Sequence, residues 1–236
     1  MPELPDVQLY LNALTEHFAG ERIEAFELRS PFLLRSYAPR LEEVLPRTVF
    51  AFSRIGKRIV WHLEDDFFLV FHLMIAGRYH RRKAGTRPRR RADLLALHFG
   101  AKGTLMLTEA GSKKRASLHI VAGSAGLSAH DAGGLEVLGC ALDELQEALQ
   151  RRNHTLKRAM TDPHILSGIG NAYSDEILHR AGMSPFKQTA RLEREEFARL
   201  HAAIQETMSE WIDRLEAERK GEFPEKVTAL RKGMAV

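Results

Sequence analysis

The sequence predicts an α+β chain in two parts: an N-terminal helix with an antiparallel β-sandwich over residues 1–130, then a helical part over 131–236. Three observations carry this. Apolar residues recur once at helical spacing ahead of Gly20. Short apolar or alternating runs, rich in β-branched and aromatic residues, fill 22–121. Helical periodicity returns after Gly134, behind a cluster of Gly123, Gly126, Gly133 and Gly134.

Val7, Tyr10, Leu11, Leu14 and Phe18 define the first helix, and Gly20 stops it. Its positive dipole end faces Pro2 and Glu3 and favours an anion there. Strands are expected at 48–55, 58–64, 67–72, 94–99 and 104–108, separated by Gly, Asp and charge clusters. Eight basic residues lie between Arg78 and Arg91; Gly85 and Pro88 among them mark a loop. Helices are expected at 142–151, 156–160, 172–181 and 194–218. The last stretch, 221–236, has no clear period and reads as a tail leading elsewhere. No internal repeat is visible.

The chain carries a net +4, so removing those eight basic residues leaves −4. Such concentration suits either a phosphate-facing patch or a solvated loop. No run reaches the roughly 18 apolar residues a membrane span needs. No basic region followed by an apolar stretch opens the chain, so no signal peptide is expected. Cys140 is the only cysteine, which excludes an intrachain disulfide and a CxxC zinc module in this sequence and fits a reducing cytoplasm.

The opening Met1-Pro2-Glu3-Leu4-Pro5-Asp6 carries the sharpest chemistry. Without Met1, Pro2 becomes a secondary α-amine, and α-amines titrate near about 7.7–8.0. The neutral amine attacks carbonyl carbons, and a secondary amine gives a permanently charged iminium. Alone, Pro2 reads better as a common second residue, with Pro5 simply near a helix start. Lys57 in Gly56-Lys57-Arg58 lies in a turn between two expected strands, either a phosphate contact or an ordinary hairpin lysine. Ser167-Gly168-Ile169-Gly170-Asn171-Ala172-Tyr173 precedes a helix whose free N–H groups suit a phosphate. Lys157 and Arg158 add cations on the approach.

Together these residues resemble the formamidopyrimidine-DNA glycosylase / endonuclease VIII family of base-excision repair enzymes, the formamidopyrimidine branch in particular. Met1–Asp6 resembles its N-terminal signature, Gly56-Lys57-Arg58 its strand-turn lysine, and 167–173 with Asp175-Glu176 its helix–two-turns–helix motif. The resemblance spans almost the whole chain. It implies a glycosylase and AP lyase that flips an oxidised nucleotide, of 8-oxoguanine or formamidopyrimidine type, out of duplex DNA. Pro2 attacks the sugar C1′, and β- then δ-elimination cut the strand. Glu3 is the implied proton shuttle. Lys57 joins them in the catalytic set. Asn171, with Gly170, holds phosphate; Lys157 and Glu176 support. Asp6 stands where the signature usually has Glu and shortens the reach. The implied partner is damaged double-stranded DNA, met by a monomer in the bacterial cytoplasm at the nucleoid, with no membrane.

Three departures bear on this. Family members usually end in a four-cysteine zinc ribbon, which this sequence does not contain, so neither metal nor cofactor is expected in it. His72–Gly77 resembles the stretch that carries a wedging Met, so Met74 or Ile75 either fills the gap left by a flipped base or belongs to the sheet core. The family's Arg-x-Phe loop is replaced by 109–116, where Lys113 and Arg115 could contact phosphate instead. The alternatives are a catalytically weak or inactive DNA-binding protein of the same fold and, further off, an RNA-associated protein.

Overall fold

The computed structural model describes residues 1–231, 233 and 234. Helix α1 (Leu4–Phe18) buries Leu4, Val7, Tyr10, Leu14 and Phe18. Pro5 sits in its first turn, where a missing N–H costs nothing. The Asp6 carboxylate closes that turn by accepting the Glu3 N–H at 2.9 Å.

Two antiparallel sheets follow. Strands β1 (Glu21–Ile23) and β2 (Ala25–Leu28) are separated by one residue and enter different sheets. The first sheet joins β1, β3 (Arg47–Ile55), β4 (Arg58–Leu63), β5 (Phe67–His72) and, as its far edge, the strand Ser117–Ala122. The second has the order β2, Asp93–His98, Thr104–Glu109, Gly77–Arg82. In chain order these later strands are β6 (Gly77–Arg82), β7 (Asp93–His98), β8 (Thr104–Glu109) and β9 (Ser117–Ala122). Their inner faces share one core. Trp61 lies at its centre against Phe71, Tyr79 and Phe99, with ring centroids 5.4–6.3 Å away.

The basic run corrects one expectation. Its first part is a strand, β6, not a loop. Tyr79 points into the core at 1 % exposure, while Arg78, His80 and Arg82 alternate with it and stay partly exposed, His80 bonding Thr108 and Glu225. The charges hid a period of two with only one large apolar residue in it. Strands β6 and β7 are both antiparallel to β8. Residues 83–92 therefore cross back, returning Arg89, Arg90 and Arg91 to the end where Gly77 pairs with Glu109. Asp93 holds that return by accepting the Arg89 and Arg90 N–H groups at 2.9 and 2.8 Å.

The helical part holds α2 (Leu142–Gln150), α3 (Leu156–Thr161), α4 (Asn171–Ala181) and α5 (Arg194–Arg219). Two short parallel strands, β10 (Leu135–Glu136) and β11 (Leu166–Ser167), bring the segment before α4 beside the sandwich. Helix α5 packs on both α4 and α1. Across the α1 contact, Asn12 donates to Glu216 at 3.0 Å and Arg219 pairs with Glu16 at 2.7 Å. One hydrophobic core runs through both parts.

A second correction concerns the expected tail. After Lys220 and Gly221 turn the chain in the left-handed region, it folds back over α1. The Phe223 ring meets those of Tyr10, His17 and Phe18; Glu225 pairs with His80 and Arg82; Val227 and Ala229 are buried. Arg231 reaches Asp6 at 2.8 Å. The anchors are single residues spaced irregularly, so no periodicity announces them. Lys232, Ala235 and Val236 lie outside the described residues.

Candidate active site

The start of α1 sits directly on the turn between β11 and α4. Leu4 donates its N–H to the Gly168 carbonyl at 3.0 Å. Gly168 has φ +86°, and a Cβ there would stand 2.9 Å from the Leu4 side chain, so glycine is required on both counts. At Gly170 a Cβ would stand 2.5 Å from the Glu3 carboxyl. That missing atom is the room into which the Glu3 side chain fits.

Glu3 is 2 % exposed. Its carboxylate accepts the N–H groups of Gly170 at 2.7 Å, Ala172 at 3.0 Å and Tyr173 at 3.2 Å. These are first-turn donors of α4 that no helical carbonyl can satisfy, and they lie at its positive end. The sequence suggested a phosphate for them; the structure gives them to Glu3. Burial pushes the Glu3 carboxyl above the usual carboxylate range, against the pull of these bonds and of Lys57.

Gly56, at φ +57°, turns the chain from β3 into β4 and places Lys57 over the same turn. Lys57 Nζ donates to the Ile169 carbonyl at 2.8 Å. Burial lowers its pKa, and Glu3 opposes that shift. Lys57, His72, Met74, Ser167, Gly168 and Met1 line a cavity of about 330 Å³. Burial, then Arg58 and Lys57, push the His72 pKa down to about 4. A larger groove of about 810 Å³ lies between His17, Arg82 and Phe223, at the opposite end of α1 from Pro2.

Thus Pro2, Glu3, Lys57 and Gly170 come together, with Asp6 beneath them. Asn171 is exposed at the first position of α4, beside this group. Lys157 is less available: its Nζ donates to the Asn171 carbonyl at 2.7 Å and pairs with Asp175, which braces the start of α4. Glu176 lies on α4 one turn before Arg180, whose charge is stabilised first by its bond to Glu210 and then by the nearby Glu206 and Glu176. Met74 and Ile75 form the β5–β6 turn and are not sheet core; Leu73 takes that place. Met74 adopts φ 53° and lines the cavity, and Ile75 stands 60 % exposed at the tip.

Lys113 and Arg115 lie exposed on the separate β8–β9 loop, which buried Glu109 fastens by accepting the N–H groups of Arg115 and Ala116. Among the described residues no group of three or more His, Cys, Asp or Glu could hold a metal ion. Cys140 is a single buried thiol, so the donors present do not fit the structural zinc of the resembled family. No helix among the described residues is long and apolar enough to cross a membrane. Sequence reasoning missed His72 and Arg231. A histidine just before the Met74 turn was a signal for the first; nothing local marks the second.

Residues 1–116 match the formamidopyrimidine-DNA glycosylase N-terminal domain, and 138–220 match the formamidopyrimidine-DNA glycosylase H2TH domain. The formamidopyrimidine-DNA glycosylase of Heliobacterium modesticaldum is 32% identical over 249 residues, covering 99% of this chain and 90% of that protein. This chain belongs to the formamidopyrimidine-DNA glycosylase family. The Bacillus subtilis formamidopyrimidine-DNA glycosylase is 28% identical over 90% of this chain and 78% of its own length. A Lactococcus lactis Fpg variant solved with Fapy-dG DNA superposes at a TM-score of 0.82, with 26% identity, 90% of this chain and 79% of that one covered. In the formamidopyrimidine-DNA glycosylase fold the helix-plus-sandwich part thus precedes the H2TH part, as the sequence predicted.

Proposed function

We propose that this chain is a bifunctional DNA glycosylase and AP lyase that removes oxidised bases of the 8-oxoguanine or formamidopyrimidine type from duplex DNA. The observation that carries this is the Glu3 carboxylate, buried on the α4 N-terminus next to Pro2 and Lys57. A carboxylate so held is placed to move protons at whatever Pro2 attacks. Residues 1–130 form the catalytic part in this reading, and 131–236 the part that grips DNA.

Removal of Met1 frees the Pro2 nitrogen. The flipped nucleotide's C1′ accepts the Pro2 lone pair, and the damaged base leaves with the electrons of the glycosidic bond and takes up the proton that the Pro2 nitrogen sheds. Glu3 in its protonated form, which burial favours, gives its proton to the sugar ring oxygen; the ring opens to an iminium. Loss of the C2′ proton then drives β-elimination of the 3′ phosphate, and δ-elimination releases the 5′ phosphate. Lys57 and Asn171 hold phosphates flanking the lesion. Arg89, Arg91, Lys113 and Arg115, gathered at one end of the second sheet, extend the phosphate track. Ile75 enters the stack behind the flipped base, with Met74 behind it. In a bacterial cell this activity belongs to the cytoplasm, at the nucleoid.

The test is borohydride trapping on a duplex with one abasic site or one 8-oxoguanine. The untagged protein should yield a covalent adduct mapped to Pro2, lost in Glu3→Gln. No adduct from folded protein with a free Pro2 leaves a DNA-binding protein without catalysis.

A further inference from the structure

The geometry points to Arg231 as a positioning residue: its guanidinium holds Asp6, and Asp6 holds the Glu3 backbone from which Pro2 and the Glu3 carboxylate hang. This rests on the function proposed above and assigns a role to a segment, 221–231, that the proposed chemistry does not use.

Both Asp6 oxygens are engaged. One accepts the Glu3 N–H at 2.9 Å, the other the Arg231 Nη2–H at 2.8 Å. Asp6 is fully buried and the Arg231 side chain is 18 % exposed. The Glu3 N–H belongs to the same rigid peptide plane as the Pro2 carbonyl. Fixing it sets the angle between the Pro2 ring and the Glu3 side chain, while the α4 N–H groups fix that side chain's far end. The two anchors together pre-organise nucleophile and proton shuttle.

A carboxylate at this depth needs a cation. Aspartate is too short to find one at the surface, and the chain supplies it by folding 221–231 over α1. Phe223, Glu225, Val227 and Ala229 are the fastenings that deliver Arg231. The other charged or titratable groups around Asp6 are Glu3, Tyr10 on α1, Tyr173 on α4 and the chain's amino terminus. Burial pushes Asp6 upward, and its bonds to the Glu3 N–H and Arg231 oppose this. Without Arg231, Asp6 takes up a proton at higher pH and loses strength as an acceptor for Glu3.

The experiment measures single-turnover adduct formation on an abasic duplex between about pH 5 and 8, with the DNA Kd measured alongside. Arg231→Gln should slow adduct formation on the order of tenfold at pH 7 and move the acid limb up by about one unit, with Kd held within about twofold. Arg231→Lys keeps the cation and should leave the limb in place, slowing the rate about two- to fivefold. In an Asp6→Asn background, which lacks the titrating group, Arg231→Gln should no longer move the limb.

An unchanged rate and limb in folded Arg231→Gln overturns the proposal. So does a limb shift that survives in the Asp6→Asn background, or a rate loss matched by an equal loss of DNA affinity. Where Arg231→Gln does not fold, Arg231→Lys carries the test, and a parental rate in it overturns the role. Failure of the parent protein to form any adduct sinks the glycosylase reading and this inference with it. A parental adduct left unchanged by the variants sinks only the role of Arg231.

Discussion

Gly170→Ala tests whether the α4 turn holds the catalytic carboxylate. Gly170 has φ −132° and ψ −155°, extended backbone that alanine adopts freely, so the substitution isolates the effect of space. Its Cβ would stand 2.5 Å from the Glu3 carboxyl carbon and 2.9 Å from its Cγ. Carbon atoms settle about 3.5–4.0 Å apart, so Glu3 must retreat by about 1 Å. The 2.7 Å bond from the Gly170 N–H breaks, and those from Ala172 and Tyr173 stretch. A hydrogen bond to a charged group contributes about 1.5–3 kcal/mol, so losing the Gly170 bond and weakening the other two costs about 2–4 kcal/mol. Thermal unfolding should fall by about 4–16 °C in a chain of this size. If the displaced carboxylate loses the same amount in the transition state, base excision slows by about 30- to 1000-fold. Single-turnover excision of 8-oxoguanine and a thermal melt read both quantities. Activity within about threefold of the parent and an unchanged melt would refute the idea that this turn seats Glu3.

An N-terminal extension turns the Pro2 nitrogen into an amide; borohydride trapping should vanish while anisotropy still reports binding to an abasic duplex. Trapping by an extended protein would remove Pro2 from the mechanism. His72 has a folded pKa of about 4, below the usual value of about 6.5. The sign follows: the neutral ring's contribution is present above about pH 6.5 and is lost as pH falls through about 4, up to roughly 3 kcal/mol. His72→Asn should flatten urea stability over that window, and an unchanged acid slope would contradict it. Ile75→Ala should slow excision from a fully paired duplex more than from a mismatched one, where the base leaves the stack more easily, and should change stability by less than about 0.5 kcal/mol. Equal slowing on both substrates would count against a wedge.

The first helix and helix α5 were legible because their apolar residues keep a local period, and the strand Phe67–His72 because it is a short unbroken apolar run; both signals need only neighbouring residues. The opening Pro2-Glu3, the Lys57 turn and the Gly-x-Gly turn were legible because short motifs carry their chemistry in residue type. Strand β6 was not, since Arg78, Arg81 and Arg82 mask an alternation that Tyr79 alone makes visible from within. The return of 221–231 was not, because scattered anchors have no period.

What only the tertiary structure decided is how these motifs meet. The donors that hold Glu3 lie 167 to 170 residues further along the chain, and the cation that balances Asp6 lies 225 residues away. The sequence by itself determined a nucleophile, a carboxylate, a lysine and a helix start. Packing α1 onto the β11–α4 turn decided that the Gly170, Ala172 and Tyr173 N–H groups of that helix start meet the carboxylate. The reason is physical: a buried carboxylate must find its donors within about 3 Å, and only the folded chain brings residues so distant in sequence that close.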